Sequence, residues 1–161
     1  MKTILLLLFC LAIFVNSFNG CSATKEFTDK SIKFVEISKG PASGIDDNKQ
    51  VVIRSETEFN AKFKEVNSIF FPEPEAPAID FSKYIVIAVF QGTKNNGGYS
   101  IKIEKIRYEE DGNVKVTVIE TSPGRNCVTT DAITHPYYIV KIPKTDEKIV
   151  FIVKQEVFDC K

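Results

Sequence analysis

Residues 84–90 read Tyr-Ile-Val-Ile-Ala-Val-Phe, an unbroken apolar run rich in β-branched and aromatic side chains. A strand with one wet face would alternate; an unbroken run predicts a strand buried on both faces, at the centre of a sheet with material packed above and below it. At 161 residues, 43% apolar and 26% charged, the chain can supply one domain built around such a strand. Next comes Gln91-Gly92-Thr93-Lys94-Asn95-Asn96-Gly97-Gly98, after which Tyr99, Ile101 and Ile103 alternate with Ser100, Lys102 and Glu104. The apolar phase then slips by one to Ile106 and Tyr108, which predicts a β-bulge near Glu104 and Lys105. Two readings of the glycine-rich turn stand side by side. It is a tight hairpin connection between neighbouring strands, or its adjacent glycines leave main-chain N–H and C=O groups open to the backbone of a partner.

Elsewhere the period sets the elements. Residues 33–38 and 50–54 read as strands around a Gly-Pro loop at 40–44. Ser55-Glu56-Thr57-Glu58 has the form of a capping box, so a helix is expected at about 56–67. Phe59, Phe63 and Val66 would make its buried stripe, and Glu58 with Lys62 an exposed i,i+4 pair. Three prolines within residues 70–77 exclude a helix or central strand there. Asp111-Gly112 signals a hairpin with a type I′ turn, returning through Val114, Val116 and Val118. A loop is expected at 121–127, then strands at 137–142 and 148–157, the last apolar on both faces and hence central. The fold expected is mainly β (α+β): an antiparallel sandwich or partly open barrel of about six to eight strands with one packed helix.

At the N-terminus Met1-Lys2-Thr3 precedes twelve uncharged residues, 4–15, the pattern of a secretory signal and too short for a permanent membrane span. Residues 1–20 are therefore read as a signal peptide, 21–31 as a polar tether and 32–161 as a single domain. Phe18-Asn19-Gly20-Cys21-Ser22 resembles the bacterial lipoprotein signal, whose Cys becomes the lipidated first residue. Lipidation of Cys21 would anchor the protein to a membrane; ordinary cleavage near Ser17 or Gly20 is the alternative and would leave it secreted. Cys10 leaves with the leader. With Cys21 lipidated, Cys127 and Cys160 remain as an even pair in an oxidising compartment, expected to form a disulfide. Closing a loop of about 30 residues would contribute roughly 3 kcal/mol; two unpaired thiols are the rival reading.

Chemistry is sparse along the chain. Lysine and arginine number 21 against 21 acids, and removal of residues 1–20, which hold Lys2 and no acid, leaves 20 against 21. No nucleic-acid partner is expected of such a balance. The single histidine, His135, is followed by Pro136, and no Gly-x-Ser-x-Gly elbow accompanies it, so no catalytic residue is assigned and no enzyme activity is expected. One His without Cys-x-x-Cys builds no zinc site. Asp46-Asp47-Asn48 lacks the spaced ligands of a calcium loop, and Gly92 with Gly97 lacks the Lys-Ser/Thr of a phosphate loop. No metal and no cofactor is expected.

Asp80-Phe81-Ser82-Lys83, the strand ending in Phe90-Gln91-Gly92, Gly97-Gly98-Tyr99-Ser100-Ile101, Glu120-Thr121-Ser122-Pro123-Gly124, and Thr134-His135-Pro136-Tyr137 with Val140-Lys141-Ile142-Pro143 together resemble the C-terminal domain of the PrcB-like family, over residues 75–145. The chain departs from that pattern at Asn95-Asn96-Gly97, where Pro-Thr-Gly is expected. The resemblance implies a non-enzymatic module that is secreted or tethered at the bacterial surface. Its partner would be a protease, which it stabilises or regulates. A protease inhibitor resembling the chagasin type, also built on an Asn to Gly-Tyr turn, and a structural envelope protein are the alternatives. The expected partner-binding edge comprises Asn96, Gly97, Gly98, Tyr99, Pro123, Gly124, Arg125, His135, Pro136 and Tyr137, because main chain left open by glycine and tyrosine rings with a polar tip suit an interface. Against it stands the reading that the glycines only shape the turn and both tyrosines are core.

Overall fold

A computed structural model describes residues 30–160. Residues 1–29, on which the expected leader, the expected lipidation at Cys21 and most of the expected tether fall, lie outside the described residues. In chain order the elements are β1 (Val35–Gly40), β2 (Asn48–Ile53), α1 (Glu56–Asn67), β3 (Tyr84–Gln91), β4 (Ser100–Tyr108), β5 (Val114–Pro123), β6 (Tyr137–Pro143) and β7 (Ile149–Phe158). Two sheets form, β1-β6-β3-β2 and β4-β5-β7, and they do not close into a barrel. The expected mainly β fold with one helix is borne out, as a sandwich.

β3 sits between β6 and β2, antiparallel to both, with its residues from Ile85 to Gln91 buried. Its two faces fill two cores. Ile85, Ile87 and Val89 pack with Ile101, Ile103, Ile106, Val114, Val116 and Val118 of the second sheet. Val86, Ala88 and Phe90 pack with Phe59, Phe63 and Val66 of α1. Each of the valine, isoleucine and phenylalanine side chains is worth about 1.5–3 kcal/mol when buried, so the apolar run is explained by two layers lying on one strand.

The helix spans 56–67 as its cap predicts. Ser55 Oγ accepts from Glu58 N at 3.3 Å. The reciprocal half of the box is displaced by one residue: Glu58 Oε2 accepts from Arg54 N at 3.1 Å. Lys62 pairs with Glu65 rather than with Glu58.

β4 and β5 are an antiparallel hairpin, and their register shifts between Ile103 and Lys105, where the bulge was expected. The turn is not type I′. That turn needs positive φ at two central residues, whereas Gly112 alone has it, at 83°, and Asp111 does not. Gly112 N donates to Glu109 O at 3.2 Å and Glu109 N to Asn113 O at 2.9 Å, which gives the three-residue loop closed by a left-handed glycine.

Three further expectations are corrected. β3 and β4 are not a hairpin: they lie in different sheets, and residues 92–99 carry the chain from one to the other. β5 extends through Thr121 to Pro123, so the loop starts only at Gly124. β7 is not central. Among the described residues it pairs with β5 alone, in parallel, at the edge of its sheet, and only its first residues, including Ile149 and Phe151, pack on the core. A parallel neighbour requires a crossover, here made by β6 in the opposite sheet. Lys30 and Ser31 run along the outer side of β4, with Tyr108 N donating to Lys30 O at 2.9 Å, and Ile32 enters the core.

Candidate functional site

Strand register decides which loops meet. Phe90 lies opposite Tyr137, Asn48 opposite Gln91, Gly40 opposite Tyr137, Ser100 opposite Thr121 and Pro123 opposite Phe158. Residues 41–47, 92–99, 124–136 and 159–160 therefore gather at one end of the sandwich. The three segments expected to share an edge do share it.

They are locked together by main-chain bonds. Lys94 N donates to Thr134 O at 2.8 Å, Thr134 N to Lys94 O at 2.9 Å and Gly97 N to Thr130 O at 2.9 Å, so the glycine-rich turn forms a short ribbon with the following loop. Thr134 Oγ1 also donates to Asn96 O at 3.0 Å. His135 joins a third segment: its N–H donates to Pro41 O at 2.8 Å, its carbonyl accepts from Ser43 Oγ at 3.0 Å, and its Nε2 lies 3.1 Å from Asp46 Oδ1. The histidine is thus a clasp between loops. Gly98 has φ +87°, and a Cβ there would lie 3.2 Å from the Pro123 ring. Glycine is required at this point both by conformation and by the close approach of Pro123.

These contacts sort the expected residues. Gly97, Pro136 and Tyr137 are buried, Asn96, Tyr99, Pro123, Gly124 and His135 are partly covered, and Gly98 and Arg125 are exposed. Tyr137 is 6% exposed, packs with the helix-side core and shares a hydrogen bond of 2.9 Å with Ser38 Oγ. It cannot present aromatic area to a partner, since it begins β6 and points at the helix layer. Part of the turn's main chain is also taken: Thr93 N is bonded to Asp46 O, and Lys94 N and Gly97 N to the 130–134 segment. Tyr99 is the aromatic that remains half-open, with Lys94 Nζ 5.6 Å from its ring centroid.

Sequence reasoning missed Val128 and Ile133, which are 101% and 67% exposed on the same loop as Arg125. Their signal was present: two large apolar residues stand in an aperiodic stretch between β5 and β6 that offers no strand face on which to bury them. Beneath the loops the sandwich interior turns polar. Glu120, 3% exposed, accepts from Asn48 Nδ2 and from Gln155 Nε2, both at 2.8 Å, tying β2, β5 and β7 together. Gln91 Nε2 donates to Thr121 O at 3.3 Å.

Cys127 and Cys160 are bonded, with Cα atoms 5.0 Å apart. Gly124 N donates to Phe158 O at 2.8 Å, and Cys127 N to Gly124 O at 3.0 Å, turning the chain back through Arg125 and Asn126 to the end of β7. The disulfide pins the parallel pair where both strands end. Among the described residues no group of three or more His, Cys, Asp or Glu side chains could hold a metal ion.

The two-sheet sandwich carries at one end a cluster of loops joined to one another by main-chain hydrogen bonds. Residues 85–143, from the second residue of β3 to the last of β6, match the family model described as PrcB C-terminal, the family that this stretch resembles. The match contains the glycine-rich turn and the 124–136 loop. No curated protein and no solved structure matches the chain.

Proposed function

We propose that the protein is a non-enzymatic binding module of the bacterial envelope, lipid-anchored through Cys21, that associates with a secreted or surface protease and stabilises it. The observation that carries this reading is the PrcB C-terminal match, which covers β3 to β6 and, of the loops gathered at this end of the sandwich, 92–99 and 124–136. The contact surface is formed by Tyr99, Arg125, Val128 and Ile133 rather than by Tyr137. Arg125 forms no ion pair among the described residues, and it stands with two exposed apolar side chains on a loop held by a disulfide. Aromatic and arginine anchors on a pre-ordered loop lower the entropic cost of association.

Deletion of the gene should lower the abundance of one envelope protease, with recovery on complementation by the wild type but not by the double variant Val128→Asp/Ile133→Asp. Both positions are exposed, so the variant should melt within about 2 °C of wild type, as surface substitutions do. A rise in protease activity on deletion would make the protein an inhibitor. No change in any protease would make it structural and overturn the proposal. Replacement of Cys21 by alanine should abolish fatty-acid labelling and release the protein from the membrane.

A further inference from the structure

Independently of that reading, we propose that the free edge of β7 pairs with the β7 of a second copy, antiparallel about a two-fold axis through Gln155, to join two three-stranded sheets into one. β7 is ten residues long, against six each for the edge strands β1 and β2 of the other sheet. It has no partner strand on its outer side among the described residues. The outer edge of β4, by contrast, is occupied in part by residues 30–32.

The free edge is chemically ready. Val114 N donates to Lys148 O and Gly124 N to Phe158 O, so the even-numbered residues of β7 bond to β5. By alternation Val153, Gln155 and Val157 aim their N–H and C=O groups outward. Ile152, Val153, Val157 and Phe158 are 42%, 38%, 64% and 41% exposed. Long apolar edges of this kind recruit another strand unless charge blocks them.

The occupant follows from the pattern of the strand itself. A two-fold axis perpendicular to the sheet keeps each face continuous and pairs residues whose numbers have the same parity. With Gln155 on the axis, Lys154 falls opposite Glu156, Val153 opposite Val157 and Ile152 opposite Phe158. Within residues 152–158 every pair is matched in character, and all four exposed apolar residues are used; Phe151 falls opposite Asp159, just beyond the end of the strand. Moving the axis to Lys154 or Glu156 sets like charges face to face, and moving it to Val153 sets Ile152 against Lys154 and Phe151 against Gln155. One register therefore satisfies both charge and hydrophobicity, and the single lysine that would repel a foreign strand finds a carboxylate in a second copy. The Cys127–Cys160 bond holds the far end of β7 beside β5, so this edge is presented in a set position.

Sedimentation velocity of the full-length protein in detergent, disulfide intact, tests the pairing. Wild type should pass from monomer to dimer as concentration rises. Glu156→Lys puts two like-charge pairs across the axis, and Val157→Lys puts a charge opposite Val153 twice. Each should weaken self-association by about tenfold or more, cross-strand pairs being mutually destabilising when mismatched. The double exchange Lys154→Glu/Glu156→Lys should recover it, with melting temperature as the control because Lys154 also pairs with Glu104 at 3.2 Å. A wild type that stays monomeric at all concentrations overturns the proposal. A dimer that neither single variant weakens, or an exchange that recovers nothing, overturns it as well.

Discussion

β3 is hydrogen-bonded along both edges and buried on both faces, whereas β7 is bonded along one edge and packed on the core only at its start, although both are runs of isoleucine, valine and phenylalanine. The difference lies in what surrounds them. β3 has the helix on one face and the second sheet on the other, while β7 is reached, among the described residues, by neither the helix layer nor a second neighbouring strand. Apolar composition is therefore consistent with two roles, a core strand and a strand held ready for another chain.

The largest expected contrast comes from truncating one isoleucine in each. Ile87→Ala opens a cavity between two sheets and should cost about 4 kcal/mol, whereas Ile152→Ala on the exposed face should cost about 0.5 kcal/mol in dilute protein. Urea denaturation measures both, and equal losses would break the comparison. Next in size is the disulfide, which holds β7 as neighbouring strands hold β3. Cys127→Ser and Cys160→Ser should each lower stability by about 3–4 kcal/mol in the chain-entropy account of a loop with a separation of 33 residues. The double variant should melt no lower than either single one, because both remove the same bond.

The smallest effect concerns the turn leading into β3. Asp80 accepts from Ser82 N at 3.0 Å and pairs with Lys83 at 3.0 Å, and these contacts, the Ser82 side-chain hydrogen bond foremost, hold its carboxyl down at about 2. A lowered value means that the contribution is present above the ordinary value of 3.8 and is lost as pH falls through about 2. NMR titration of Asp80 should give a midpoint near 2, and Ser82→Ala should raise it toward 3.8. A midpoint at the ordinary value in wild type would show that the turn is not held by this side chain.

Much of the site was legible because it rests on local chemistry. Gly98 is demanded by its positive φ, Cys127 and Cys160 were paired by elimination, and the bulge after Ile103 showed as a slip of phase. Tyr137 reads in the sequence as the first residue of the strand at 137–142 and also as part of the binding edge, with a core position as the alternative; register with Phe90 and packing against the helix layer give it the core position. Val128 and Ile133 went unnoticed because they belong to no periodic segment.

By itself the sequence determined which stretches form strands, helix and turns, since alternation, capping and glycine chemistry act over a few residues. Only the tertiary structure decided which strands are neighbours. A run such as Ile149-Val150-Phe151-Ile152-Val153 reports how much its side chains avoid water, not which element covers them. The crossover through β6 placed it parallel to β5 and left its outer edge unpaired among the described residues. The same long-range register gathered residues 41–47, 92–99 and 124–136 at one end, where main-chain bonds between segments far apart in the chain close the loops on one another.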